Sequence, residues 1–175
     1  QGGVTPLPLA LDDPLLKGAI NPADGLLYLT GFNIWGTKAK GKTFLGRVHP
    51  NPKRTWTIPS HVRVAKRGIF LRFATPLDPK SASKPASYEV RRWNYKRTPN
   101  YGSPHYKLDE TKGTETLPVA SVKVSKDKQA VFLGVPDMRE VMQIEVGYKI
   151  SASDGSAIQN KTFLTAHLLR KMALE

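Results

Sequence analysis

Residues 68–95, GIFLRFATPLDPKSASKPASYEVRRWNY, decide the fold. Ile69, Leu71 and Phe73 alternate with Phe70 and Arg72. That period of two is the signature of a strand with one face in a core. Pro76, Asp78 and Pro79 then stop the strand, because proline has no amide hydrogen to donate and fixes φ. The polar, small-residue segment Asp78 to Ala86 has room for a single helical or 3₁₀ turn. A second β-rich run follows from Ser87 to Tyr95, so the stretch reads as strand, corner, strand.

Working outward, the same texture continues toward the C-terminus. Val62 to Ala65, Val119 to Val124, Ala130 to Val135, Val141 to Ile150 and Lys161 to Leu169 are further strand candidates. In the 141–150 run, Met142, Ile144, Val146, Tyr148 and Ile150 are expected on one face, with Gln143, Glu145 and Lys149 on the other. Asp154-Gly155 marks a turn before the last strand. Residues 98–116 are the least regular part and long for a connection inside a compact domain.

Toward the N-terminus, residues 1–24 read as an extended arm. Leu26 to Thr30 and Thr43 to Val48 form a candidate hairpin across the basic loop Thr37 to Lys42, and a lone hairpin needs something to pack on. Pro50, Pro52 and Pro59 with Lys53 and Arg54 give His49 to Pro59 the composition of a linker. The expected organisation is therefore 1–59 as arm, hairpin and linker, and 60–175 as the main domain. About seven short strands with turn residues between them, and no segment of helical period, point to an all-β fold. The expected architecture is an antiparallel β-sandwich of immunoglobulin or fibronectin type III kind with an N-terminal hairpin extension, a barrel being the alternative.

Composition sets outer limits. A chain of 175 residues with 39% hydrophobic and 23% charged residues suits an ordinary globular domain. The absence of cysteine removes disulfides, thiolate metal sites, thiol nucleophiles and haem attachment through C-x-x-C-H. No apolar run approaches the roughly 20 residues that cross a bilayer, so no membrane span is expected. Gln1 in place of Met reads as an internal or processed start. The net charge of +13 favours anionic partners in general. Its cations are scattered along the chain, which fits a solvated basic surface better than one dedicated site.

Phe73, Pro76, Leu77, Asp78, Pro79, Ser81, Ala82, Pro85, Ser87, Tyr88 and Val90, followed by Asp154-Gly155, resemble the corner and closing turn of the Ig-like domains of bacterial surface proteins. A broader resemblance rests on Gln1-Gly2-Gly3, Asp24-Gly25-Leu26-Leu27-Tyr28, Gly31, Trp35-Gly36 and Tyr101-Gly102-Ser103-Pro104. These look like the C-terminal region of large secreted proteins of planctomycetes and verrucomicrobia. In that family a β-propeller related to sugar dehydrogenases precedes an Ig-like module, and a c-type cytochrome domain often lies elsewhere in the polypeptide. The resemblance implies that residues 1–48 correspond to the last propeller strands and 60–170 to the Ig-like module. It also implies a secreted or periplasmic bacterial setting, with the adjacent propeller as partner. This chain carries neither the haem attachment nor most of a propeller, so the family's electron-transfer chemistry is not carried over.

No nucleophile elbow or other catalytic arrangement stands in the sequence, and no enzyme activity or cofactor is expected. His49, His61, His105 and His167 lack metal-site spacing. Asp12-Asp13 and Asp109-Glu110 carry hard oxygen ligands but read more naturally as turn or helix caps. The candidate binding residues are Arg91, Trp93, Tyr95, Arg97, Tyr101 and Tyr106. Rings flanked by hydrogen-bond donors suit a polysaccharide, whose C–H faces stack on them, and suit single-stranded nucleic acid as a second choice. The alternative role for Trp93 or Tyr95 is to pack under the 98–116 loop. Trp35 and Trp56 read as anchors between the hairpin and the main domain.

Overall fold

A computed structural model describes residues 2–9, 15–33 and 41–172. The chain divides into two compact units, Pro8–Arg54 and the remainder, which joins Gln1–Leu7 to Thr55–Glu175. The smaller unit is a three-stranded antiparallel meander of β2 (Lys17–Ile20), β3 (Leu27–Phe32) and β4 (Thr43–Val48), in that spatial order. The turn between β2 and β3 is held by Asn21 and Asp24, whose side chains accept the amides two residues on. The expected hairpin thus has a third strand, drawn from residues expected to be an unpaired arm.

The larger unit is a β-sandwich. One sheet has the order β5 (His61–Ala65), β6 (Gly68–Arg72), β10 (Ala130–Gly134), β9 (Ser121–Val124). The other has the order β1 (Gly2–Val4), β12 (Ala157–Ala166), β11 (Val141–Ser151), β7 (Tyr88–Trp93), β8 (Glu115–Leu117). All neighbouring strands run antiparallel. Val64, Ile69, Leu71, Val131 and Leu133 from the first sheet share one core with Val90, Ile144, Val146, Ile158 and Leu164 from the second. Alternation puts these residues inward on every strand, and burial of their apolar surface is the main favourable term in folding.

The corner at 74–87 joins the two sheets. Leu77 is fully buried, and its amide donates to the Lys128 carbonyl at 2.7 Å beside the four-stranded sheet. On the other side, the Asp78 amide donates to Ser151 at 2.9 Å, and the Ser151 amide donates to the Ser81 hydroxyl at 3.0 Å. Asp78 caps the single-turn helix α1 (Pro79–Ala82) by accepting the Lys80 and Ser81 amides, with proline at the first helical position. A 3₁₀ turn at Pro85–Ser87 leads into β7, where the Tyr88 hydroxyl donates to the Ala82 carbonyl at 2.8 Å. Burial raises the Tyr88 phenol. Gly68 opens β6 because a Cβ there would stand 1.9 Å from the Leu133 carbonyl oxygen.

Three expectations about strands change. In β11 the register shifts between Val141 and Ile144, so both of these point into the core and Met142 is 48% exposed, away from the face expected for it. A bulge inserts an extra residue and breaks the alternation that periodicity assumes. The last strand starts at Ala157 rather than near Lys161, because the Asp154-Gly155 turn is tight enough to pair Ser151 with Ala157 at once. Residues 115–117, at the end of the 98–116 stretch expected to be irregular, pair with β7 as an edge strand.

Turns are built repeatedly from one device, an Asp accepting the amide two residues on. Asp109 accepts from Thr111, Asp127 from Gln129 and Asp154 from Ser156. Asp127 also accepts the Ser125 hydroxyl and, at 2.6 Å, the Arg72 guanidinium. The Ser125 hydroxyl first, then the Gln129 amide and Arg72, hold the Asp127 carboxyl down to about 2. Asp24, Asp78, Asp109, Asp137 and Asp154 are lowered too, chiefly by hydrogen bonds from Leu26, Lys80, Thr111, Arg139 and Ser156 respectively. A carboxylate lowered in the folded state binds fewer protons than in the unfolded chain, so its stabilisation is complete above the ordinary carboxylate range. That stabilisation is lost as the pH falls toward the folded value. The thermal midpoint is therefore expected to fall progressively between about pH 4 and pH 2. Asp127→Asn is expected to lower the midpoint at neutral pH and to make the acid decline shallower, which thermal scans across that range would read directly.

Candidate functional site

Strand β7 and the loop after it carry the residues that the sequence singles out. Tyr88, Val90 and Arg92 point into the sandwich, while Glu89, Arg91 and Trp93 lie on the outer face of the five-stranded sheet. The loop then folds back in ordered form. Asn94 and Tyr106 exchange backbone hydrogen bonds at 2.7 and 2.9 Å, Lys107 pairs with Thr111, and the Gly113 amide donates to the His105 carbonyl. The Lys96 amide donates to the Ser103 hydroxyl at 2.9 Å.

This return covers Trp93. His105 stacks on the indole with centroids 4.4 Å apart and planes at 19°, and it meets Tyr95 edge-on at 5.7 Å. Trp93 is 5% exposed, and its Nε1 has no hydrogen-bond partner. The expected platform is thereby reduced to Tyr95, partly exposed, and Tyr101, fully exposed. Tyr106 sits under Lys96, whose Nζ is 4.7 Å from the ring centroid and also pairs with Glu110 at 3.0 Å. Arg91 is engaged by Glu89, and Arg97 is exposed. Trp93, Tyr95 and Tyr106 are thus brought to one loop base, whereas Tyr101 projects away from the structure.

The buried Arg92 went unread in the sequence. Its guanidinium bonds Glu115 at 2.6 Å, the Asp137 carbonyl at 2.5 Å and the Asp137 carboxylate at 2.7 Å. Arg139 first and Arg92 second hold the Asp137 carboxyl below the usual carboxylate range. This network ties β7 to β8 and to the turn before β11, which is a structural task. Among the described residues, no His, Asp and Glu side chains gather in a group able to hold a metal ion. Asp109 takes the turn-capping role, Asp12 and Asp13 lie outside the described residues, as does Trp35, and Trp56 is exposed. No helix of the described residues is long and apolar enough to cross a membrane.

Surface grooves among the described residues of the larger unit include two of note. One, of about 600 Å³, lies over Gly147, which has Glu89 and Lys161 as its cross-strand neighbours. The other, of about 370 Å³, runs between Arg63, Arg170 and Lys171. Comparisons with protein-family models, curated proteins and solved structures find no match.

The opposite sheet holds a second arrangement that sequence reasoning passed over. Arg63, Phe70, Phe132 and Lys123 stand in one row across β5, β6, β10 and β9, on the face turned away from the core. The alternation at Ile69, Leu71 and Phe73 already turned Phe70 outward. An aromatic residue at an outward position was the available signal.

Proposed function

We propose that this chain is a non-catalytic, Ig-like accessory module of a larger secreted bacterial protein, and that it positions a neighbouring propeller domain or that domain's substrate. The observation that carries this reading is the open sheet of the smaller unit. Ile20 is 69% exposed on one face of the meander, which it shares with half-buried Leu27, Leu29, Phe44 and Val48, while Phe32 and Leu45, 80% exposed, are bared on the other face. Such an apolar face calls for a partner surface. A three-stranded meander is also what remains of a four-stranded propeller blade when one strand comes from elsewhere. The order of the sandwich supports the Ig-like part of the reading. With strands lettered A to G in chain order from β5, omitting β8, the sheets read A-B-E-D and G-F-C, the pairing of immunoglobulin constant-type domains.

Hydrogen exchange tests the proposal. The β2, β3 and β4 amides are expected to exchange rapidly in the isolated 175-residue chain and to gain protection when the same residues are part of the parent polypeptide. Equal protection in both settings would overturn it, as would hydrolase or oxidoreductase turnover by the isolated chain.

A further inference from the structure

We propose that the outer face of the four-stranded sheet binds single-stranded nucleic acid, with Phe70 and Phe132 as the stacking platform and Arg63, Lys123, Arg170 and Lys171 as phosphate contacts. The two phenylalanines are direct register partners on adjacent strands, and both remain partly exposed on the face turned away from the core shared by the two sheets. Next to them, the row Ala65, Gly68, Gly134 and Ser121 contains only small residues. The Phe132 ring occupies that space, with its Cζ 2.9 Å from where a Gly68 Cβ would be. A ring lying over the sheet surface, as that of Phe132 does, offers a face to a flat ligand, and every nucleobase has a face to match.

Charge selects the ligand class. Arg63 and Lys123 close the two ends of the aromatic row, and Arg63 also lines the 370 Å³ groove that continues to Arg170 and Lys171. The parallel bridge between Ala65 and Arg170 fixes this continuation, with the Lys66 amide donating to the Arg170 carbonyl at 3.0 Å. Among the described residues, none of these four cations is in an ion pair. In the remaining outward row, Arg72 is already taken by Asp127 and Gln129. Two ring faces on neighbouring strands, bracketed by free cations and continued by a basic groove, match a strand of stacked bases with a charged backbone. A neutral glycan would leave all four cations without an anionic partner, whereas the phosphates of a nucleic acid supply one for each. Duplex DNA hides its base faces, so the rings would have nothing to stack on.

The test is fluorescence anisotropy of the 175-residue chain with a labelled oligothymidylate of about a dozen nucleotides, within the usual single-strand site size. Binding at low salt is expected to weaken about ten-fold or more in Phe132→Ala and in Phe70→Ala, and to persist in Phe132→Tyr. Arg63→Gln and Lys123→Gln are each expected to flatten the salt dependence by about 0.7 in the log–log slope. Amide shift changes on oligonucleotide addition are expected at residues 63, 70, 123 and 132 in the unsubstituted chain, which keeps the test independent of how the variants fold. Equal affinity for duplex together with indifference to Phe132→Ala would overturn the proposal in favour of plain electrostatic attraction. Ring-dependent binding of polygalacturonate or heparin, without binding of the oligonucleotide, would overturn it in favour of an acidic polysaccharide. Shift changes confined to residues 95–106 would overturn it in favour of the loop that follows β7.

Discussion

Phe73→Ala is expected to destabilise the larger unit by about 3–5 kcal/mol, the range for emptying a filled aromatic site in a core. Phe73 is among the largest fully buried side chains and meets Tyr148 of the facing sheet edge-on, with centroids 5.5 Å apart. Its amide also donates to the Gln129 carbonyl at 2.8 Å, which pins the end of β6 beside β10. Tyr148 cannot collapse into the space without giving up its own hydrogen bond to the Thr57 carbonyl at 2.8 Å. The control is three residues away. Phe70→Ala, on the outward face of the same strand, is expected to cost about 1 kcal/mol or less. Urea denaturation of both variants reads the contrast, and equal losses would mean that the alternation does not separate core from surface.

Arg92→Met is expected to cost roughly 3 kcal/mol, as breaking one side of a largely buried ionic network does. The substitution keeps the aliphatic volume but leaves Glu115 one quarter exposed with no cation. Asp137 suffers less, because it is half exposed and still holds Arg139 at 2.8 Å. Arg91→Met, one residue away, removes only an exposed pair with Glu89 and is expected to cost well under about 1 kcal/mol. Adding Glu115→Gln to Arg92→Met is expected to recover part of the loss, since the buried charge without a partner is then gone. A double-mutant cycle showing strict additivity would refute the network as described.

Some of this was open to reading along the chain. Ile69, Leu71 and Phe73 are buried and Phe70 and Arg72 are not, as period two requires. The Pro- and Asp-rich corner does leave one sheet and enter the other, through an α-helical turn and a 3₁₀ turn where a single turn was expected. Other features were out of reach for stated physical reasons. Met142 breaks the face expected for it because a bulge is set by what the neighbouring strands and loop need, here the Asn94 side chain accepting the Met142 amide at 2.9 Å. Trp93 and Tyr95 do converge on one partner, but that partner is His105, brought back by a loop whose closure leaves no period in the sequence.

Local patterning was enough for β3 to β7 and β9 to β12 and, apart from the bulge in β11, for the inward faces of the sandwich strands. Strand alternation, proline punctuation and Asp-built turns act over a few residues and need no knowledge of the rest of the chain. By contrast, β1, β2 and β8 are strands only through the neighbours that pair with them. Tertiary structure decided which strands became neighbours, which ring was covered, and that Arg92 belongs to Glu115 and Asp137, 23 and 45 residues away. It also set Phe70 and Phe132 side by side between two cations. Those pairings depend on sheet order and register, which are properties of the whole packed sandwich and are not encoded in any single stretch.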